Sequence, residues 1–125
     1  MPKFVALMLP DDRYTGPGDN PVSPMDRYLA WQEELKASGR LIAAAGLGDA
    51  AKSIRGNGES VQITDGPFAE ASEVIAGYLV IEAADLDEAT KLLATHPVVP
   101  EGGLALVVRE ITLDEHTPRE GHLRR

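Results

Sequence analysis

Two side chains have the strongest potential for acid–base chemistry. Asp65 opens the segment DGPFAE, and His96 stands directly before Pro97. A carboxylate and an imidazole can act together as general acid and base, because histidine titrates near neutral pH. Each also has a structural explanation: Asp-Gly is a favoured turn dipeptide, and a histidine cation stabilises a helix C-terminus. The sequence leaves both explanations open for Asp65 and His96.

Loop residues form a second group of candidates, for ligand binding. Asp12 and Arg13 lie in a stretch rich in Pro, Gly, Asp and Asn, and Phe68 follows Pro67. Loops that follow strands often hold ligands, and Pro67 rigidifies the turn beyond what a connection requires. The alternatives are a solvated loop for Asp12 and Arg13 and a core anchor for Phe68.

Four residues inside predicted elements complete the candidate set. Tyr28 and Trp31 lie in a predicted helix and can line a pocket or belong to the core or an interface. Tyr78 lies in an apolar strand, so its hydroxyl needs a neighbour, a water or a ligand. Arg109 also lies in an apolar strand, where it can pair with a carboxylate or bind an anion.

The composition excludes several classes of function. The chain has 125 residues, 12 basic and 20 acidic, with a net charge of −8 and no cysteine. This balance argues against nucleic acid and anionic membranes as partners, and the absence of cysteine removes disulfides and thiolate chemistry. His116 and His122 are six residues apart, which is not a metal-ligand spacing on a helix. We expect no metal, no cofactor, no membrane span and a cytoplasmic location.

The elements that must position these residues follow from apolar runs and capping signals. Strands are predicted at residues 3–9, 41–47, 74–82 and 104–111, and a hairpin turns at Gly56–Gly58. One helix begins after Ser23 and ends near Ser38 and Gly39. A second begins after Asp85, with Glu88 closing a capping box, and ends at Pro97. Residues 1–111 form one domain, and residues 112–125 form a polar, flexible tail.

This order predicts an α+β, ferredoxin-like split βαβ fold: an antiparallel sheet with two helices on one face, plus a small β-hairpin. The strand segments FVALML, GYLVI and LALVV do not alternate apolar and polar residues, so both sheet faces require burial. About six outward aliphatic side chains would contribute ~9–18 kcal/mol on burial, before association costs. A second subunit is the simplest cover, so we expect a homodimer resembling a dimeric α/β barrel.

The segment TDGPFAEASEVIAGYLVIEAADLDEA, with THPVVPEGG and VVREI following in order, resembles the DGPF branch of the YCII-related domain family. The resemblance extends from the first strand to about Ile111 and implies a dimeric ferredoxin-like fold. For activity, the resemblance implies either lyase- or dehydrochlorinase-type chemistry with a His–Asp pair or an accessory role linked to sigma factors.

The chain departs from this family pattern at one position. The YCII branch has a histidine on the first helix, twelve residues before the second strand, and this chain has Tyr28 there. The His–Asp chemistry therefore does not carry over intact. Binding of a small organic ligand between helices and sheet is the leading hypothesis. The alternative is acid–base catalysis of a lyase or isomerase type by His96 with Asp65 or Asp12. In that case Arg13 or Arg109 would hold an anionic substrate. A purely structural dimer module is the third hypothesis.

Overall fold

The positions of the elements follow the sequence pattern closely. The computed structural model describes residues 1–10, 16, 18–66 and 75–115. Its strands are β1 (Lys3–Pro10), β2 (Leu41–Gly46), β3 (Lys52–Gly56), β4 (Val61–Asp65), β5 (Gly77–Glu82) and β6 (Leu104–Ile111). Its helices are α1 (Pro24–Ala37) and α2 (Leu86–Leu93), and a short 3-10 turn covers Val99–Glu101.

Four strands form one antiparallel sheet in the order β2-β5-β1-β6, and β3 and β4 form a separate two-stranded hairpin. The first and last strands, β1 and β6, therefore lie next to each other. Both β-α halves of the chain contribute strands to this one sheet. This is the split βαβ arrangement, so the predicted ferredoxin-like α+β fold is confirmed.

The helix boundaries arise from local hydrogen bonds. The Ser23 hydroxyl accepts a bond from the Asp26 N–H at 3.1 Å, and Gly39 follows α1 with a φ of 78°. At α2, the Asp85 carboxylate accepts from the Glu88 N–H at 2.8 Å. The predicted caps Ser23 and Asp85 are thus confirmed. The helix α2 ends at Leu93, earlier than the predicted stop at Pro97, because a turn carrying His96 intervenes.

The core lies between the helices and one face of the sheet. Its sheet side consists of Phe4 and Ala6 from β1 and Leu79 and Ile81 from β5. The helices supply four buried side chains: Trp31, Leu35, Ala89 and Leu93. Both helices therefore cover the same sheet face, as predicted.

The two halves of α1 pack differently. Met25 and Leu29 are 63% and 46% exposed, whereas Trp31 is 7% exposed. The second half of α1 packs onto the core through Trp31 and Leu35. Its first half borders a cavity instead, which is why its apolar side chains remain accessible.

The opposite sheet face carries mainly apolar side chains. The cross-strand register places Val5 beside Val80 and Leu7 between Tyr78 and Val107. We call this surface the open face; it consists of Val5, Leu7, Leu9, Tyr78, Val80, Ala105, Val107 and Arg109. Neither helix packs on it, because both belong to the other side of the sheet.

Within the described residues, neither helix is long and apolar enough to cross a membrane.

Candidate functional site

A cavity of about 470 Å³ lies between the first half of α1 and one end of the sheet. At this end β1 and β2 finish and β5 and β6 begin, so Met8, Gly46, Ala76 and Leu104 form its floor and rim. Its volume falls within the range of about 300–1,000 Å³ that is typical of small-molecule sites.

The cavity lining is predominantly apolar. Aliphatic and thioether side chains come from α1, the sheet and the turn before β6; they are Met8, Met25, Leu29, Ala44, Val98 and Leu104. Three side chains with hydrogen-bonding groups, Tyr28, Gln32 and His96, interrupt this surface. No charged side chain of the described residues lines the cavity. Such a site favours an uncharged ligand, since burying an unpaired charge is costly.

His96 is the polar residue most deeply buried at this site, with 1% of its surface exposed. Its ring stacks on Tyr28 with a centroid distance of 5.3 Å and lies 4.8 Å from the Trp31 ring. The burial lowers the pKa of His96 below its ordinary value, because desolvation penalises the imidazolium. This direction favours a neutral imidazole at neutral pH over a cation at the end of α2, which the sequence left open as one explanation of His96.

The backbone around His96 fixes the position of its proton. The Val98 N–H donates to the imidazole Nδ1 at 3.1 Å, so the neutral ring carries its proton on Nε2. This Nε2 atom is buried and has no hydrogen-bond partner among the residues that the structure describes. Since buried polar groups are nearly always satisfied, an unpartnered N–H beside a cavity is a candidate ligand contact.

Trp31 connects α1 to the turn after α2, next to the cavity. Its indole Nε1 donates to the Thr95 hydroxyl at 2.8 Å, and that hydroxyl donates to the Leu92 carbonyl at 2.6 Å. Trp31 is a core residue, whereas Tyr28 both lines the cavity and packs against the core. Burial raises the pKa of Tyr28, so its phenol stays neutral at neutral pH.

An ion pair connects α1 to the turn that carries His96. The Arg27 Nη2 atom lies 2.9 Å from the Glu101 Oε1 atom, and both side chains are largely buried. This pair holds the 3-10 turn against the start of α1, next to the cavity. Nothing in the sequence pattern indicated this contact, because 74 residues separate its partners.

Asp65 lies elsewhere, on the hairpin. Its side chain is 93% exposed and its Oδ1 atom lies 3.3 Å from Lys52 Nζ. Gly66, which follows it, has a φ of 80°, a conformation that glycine adopts readily, and the rest of the predicted turn lies outside the described residues. Asp65 is not among the cavity residues, and one subunit does not bring it to His96.

The other candidates lie either on the open face or outside the described residues. Tyr78 and Arg109 lie on the open face, opposite Leu7 and Val5 respectively. Among the described residues no carboxylate forms an ion pair with Arg109. Asp12, Arg13 and Phe68, with the tail histidines, lie outside the described residues. Within the described part of the chain no cluster of His, Cys, Asp or Glu is suited to a metal ion.

The fold and this cavity define a small α+β protein with a buried, mainly apolar site. The sequence model of the YCII-related domain matches residues 6–112, and the chain belongs to that family. No curated protein matches it. One similar solved structure is 5-chloro-2-hydroxyhydroquinone dehydrochlorinase (TftG) from Burkholderia phenoliruptrix AC1100, in complex with 2,5-dihydroxybenzoquinone. It has 18% identity, a TM-score of 0.44, and covers 91% of this chain and 99% of its own.

Proposed function

We propose that this protein binds a small, uncharged and largely apolar organic molecule in the cavity between α1 and the sheet. The observation that carries the proposal is the buried Nε2 atom of His96, which has no hydrogen-bond partner among the described residues. His96 lines that cavity. A ligand oxygen, such as a ketone carbonyl, would accept this hydrogen bond.

The preference for an uncharged ligand rests on the lining and on the whole chain. The described lining has no charged side chain to pair with a ligand charge. The net charge of −8 adds a repulsive field for anions. An apolar body contacting Met8, Met25 and Leu29 would supply binding free energy through burial, and His96 would supply orientation.

The state of His96 favours binding over acid–base chemistry. A general base needs a free lone pair, and here Nδ1 accepts the Val98 N–H while Nε2 already carries the proton. A lyase or isomerase using Asp65 and His96 would also need Asp65 from a second subunit. The binding proposal requires neither a free lone pair nor a second carboxylate, and it requires a movement that opens Nε2, which is shielded from solvent, to the cavity.

We further propose that the protein is a homodimer that covers the open face. Apolar side chains of β1, β5 and β6 form this face, and neither helix packs on it. Light scattering at micromolar concentration is expected to give twice the mass of the 13.4 kDa chain. A monomer under these conditions would contradict the dimer but not the ligand site.

Two ligands of matched shape test the binding proposal. Benzophenone has a carbonyl acceptor, whereas 1,1-diphenylethylene replaces the oxygen with a methylene group. We expect benzophenone to raise the melting temperature more than 1,1-diphenylethylene, because only benzophenone can accept the His96 hydrogen bond. A ligand at 100 times its dissociation constant adds about 2.7 kcal/mol of stability, which is large enough to measure. In His96→Phe the two compounds should give equal shifts, because the donor is absent while the ring remains.

A pair of leucine variants separates the cavity from the rest of the surface. Leu29 and Leu86 are exposed to similar extents, 46% and 49%, and only Leu29 lines the cavity. We expect Leu29→Glu to abolish both thermal shifts and Leu86→Glu to leave them unchanged. Equal shifts in wild type and Leu29→Glu, or no shift with either compound, would reject the proposed site.

A further inference from the structure

The hairpin presents its apolar side to solvent. Ile54 and Ile63 are directly paired across β3 and β4, and Val61 projects to the same side as Ile63. These three residues, the hairpin face, are 68%, 63% and 67% exposed respectively. Their exposure is unusual, because β-branched side chains of this size are generally buried.

The other side of the hairpin is polar and is attached to the hairpin base. Ser53 is the buried residue of β3, and its hydroxyl donates to the Gly66 carbonyl. Arg55, Gln62 and Thr64 complete this polar side. Apart from Ser53, the hairpin therefore exposes both of its sides, and its apolar side is as accessible as its polar side.

A hairpin of this kind requires a partner surface. The strands β3 and β4 pair with each other and form a sheet separate from the main one. An isolated two-stranded ribbon is marginally stable in water and needs packing on one side. We propose that the hairpin is a dimerisation arm whose Ile54–Val61–Ile63 face packs against the open face of a second copy of this chain.

The size of the open face supports a second copy as the occupant. The three strands β1, β5 and β6, about 4.8 Å apart and about seven residues long, present roughly 330 Å² in projection. A standard interface buries about 800 Å² on each partner. The open face alone is therefore small for a stable dimer, and two hairpin faces added by symmetry enlarge the apolar contact.

Charge also favours an apolar mode of association. Two copies with a net charge of −8 each repel one another, so contact between them has to be driven by apolar burial. The ion pair of Lys52 and Asp65 borders the hairpin face and adds no net charge there. This inference rests on the homodimer proposed above and is independent of the ligand site.

Sedimentation velocity over a dilution series tests the arm. We expect Ile54→Thr combined with Ile63→Thr to raise the dimer dissociation constant at least tenfold, while threonine preserves strand propensity. The control Gln62→Thr changes the polar side of β4 and should leave the constant unchanged. Circular dichroism of all three proteins establishes that the variants are folded. A wild-type dimer that the double variant leaves unchanged overturns the arm alone, and a monomeric wild type overturns both arm and dimer.

Engineered cysteines locate the contact, because the chain has no cysteine of its own. An Ile63→Cys chain is mixed with a differently tagged chain carrying Leu7→Cys, Val80→Cys or Val107→Cys. Under mild oxidation we expect a mixed disulfide for at least one combination, and none when Gln62→Cys replaces Ile63→Cys. Crosslinking of Ile63→Cys only to itself, or the absence of a mixed product, would show that the hairpin does not meet the partner's open face.

Discussion

The imidazole of His96 stacks on the phenol ring of Tyr28, with centroids 5.3 Å apart and planes inclined by 26°. One ring comes from the turn after α2 and the other from α1, so this contact joins two elements at the cavity. It also places a neutral hydrogen-bond donor beside an apolar space, which is the central feature of the proposed site.

The first prediction concerns the pH dependence of stability. The pKa of His96 is lower in the folded protein than in the unfolded chain, because burial disfavours its charged form. Below a pH of about 6.5 the unfolded state therefore binds more protons than the folded state. Each pH unit below this value lowers the free energy of unfolding by up to ~1.4 kcal/mol. The contribution is fully present above this pH and decreases as the pH falls.

Urea unfolding at pH 7.5 and pH 5.5 measures this effect. Wild type should lose more stability on acidification than His96→Phe, whose remaining pH dependence reports the carboxylates. Identical losses in the two proteins would mean that His96 is not buried in its neutral form.

A second prediction concerns the hydrogen bond beneath the cavity. Thr95→Val removes the acceptor of the Trp31 indole N–H and leaves that buried donor without a partner. A loss of about 1–3 kcal/mol in the free energy of unfolding is expected. Thr90→Val is the matched control, since the Thr90 hydroxyl donates only to the Leu86 carbonyl on the exposed side of α2. Equal effects of the two substitutions in denaturant unfolding would contradict the structural role of the Trp31 bond.

A third prediction compares two glycines that face each other across β2 and β5. A methyl group on Gly77 would lie 2.6 Å from both the Ala45 carbonyl oxygen and the Met8 methyl carbon, whereas one on Gly46 meets nothing within 4 Å. Gly77→Ala is expected to destabilise the protein by about 1–3 kcal/mol through overpacking. Gly46→Ala should change the melting temperature little. Tolerance of Gly77→Ala would mean that the close approach of β2, β5 and Met8 is not maintained.

A fourth prediction separates the two explanations of Asp65. The Lys52–Asp65 ion pair is exposed, and such pairs contribute about 0–1 kcal/mol. Asp65→Asn should therefore leave both the melting temperature and the benzophenone shift nearly unchanged. If stability is retained but the ligand shift is lost, Asp65 acts at the site, and this result would favour a subunit arrangement that brings the hairpin to the cavity.

The sequence predicted the elements well because their signals are local. Ser23 and Asp85 cap helices through bonds to residues three positions ahead, and β6 has the predicted bounds Leu104–Ile111. The early end of α2 at Leu93 was missed. Pro97 sets the last position that a helix could reach, and the helix can end before it. The core position of Trp31 was one of its predicted alternatives. The exposure of Met25 and Leu29 could not be predicted, because apolar spacing along a helix does not show how far each end of the helix lies from the sheet.

The site was harder to predict, since its contacts join distant parts of the chain. His96 was identified by residue type, but its unpartnered Nε2 depends on the Val98 N–H and on rings from α1. The cavity residues Gln32, Met8 and Leu104 had no signal of their own. The available signal for the cavity was the presence of apolar residues in α1 that the core does not require, such as Met25 and Leu29.

The two halves of α1 have consequences for how this protein can diverge. Its second half supports the core through Trp31 and Leu35, while Met25, Leu29 and Gln32 in the first half and middle border the cavity. If the cavity binds the proposed ligand, substitutions at these positions are expected to change its shape with little cost in folding stability. One helix would then contain both a part constrained by folding and a part that can change with the ligand.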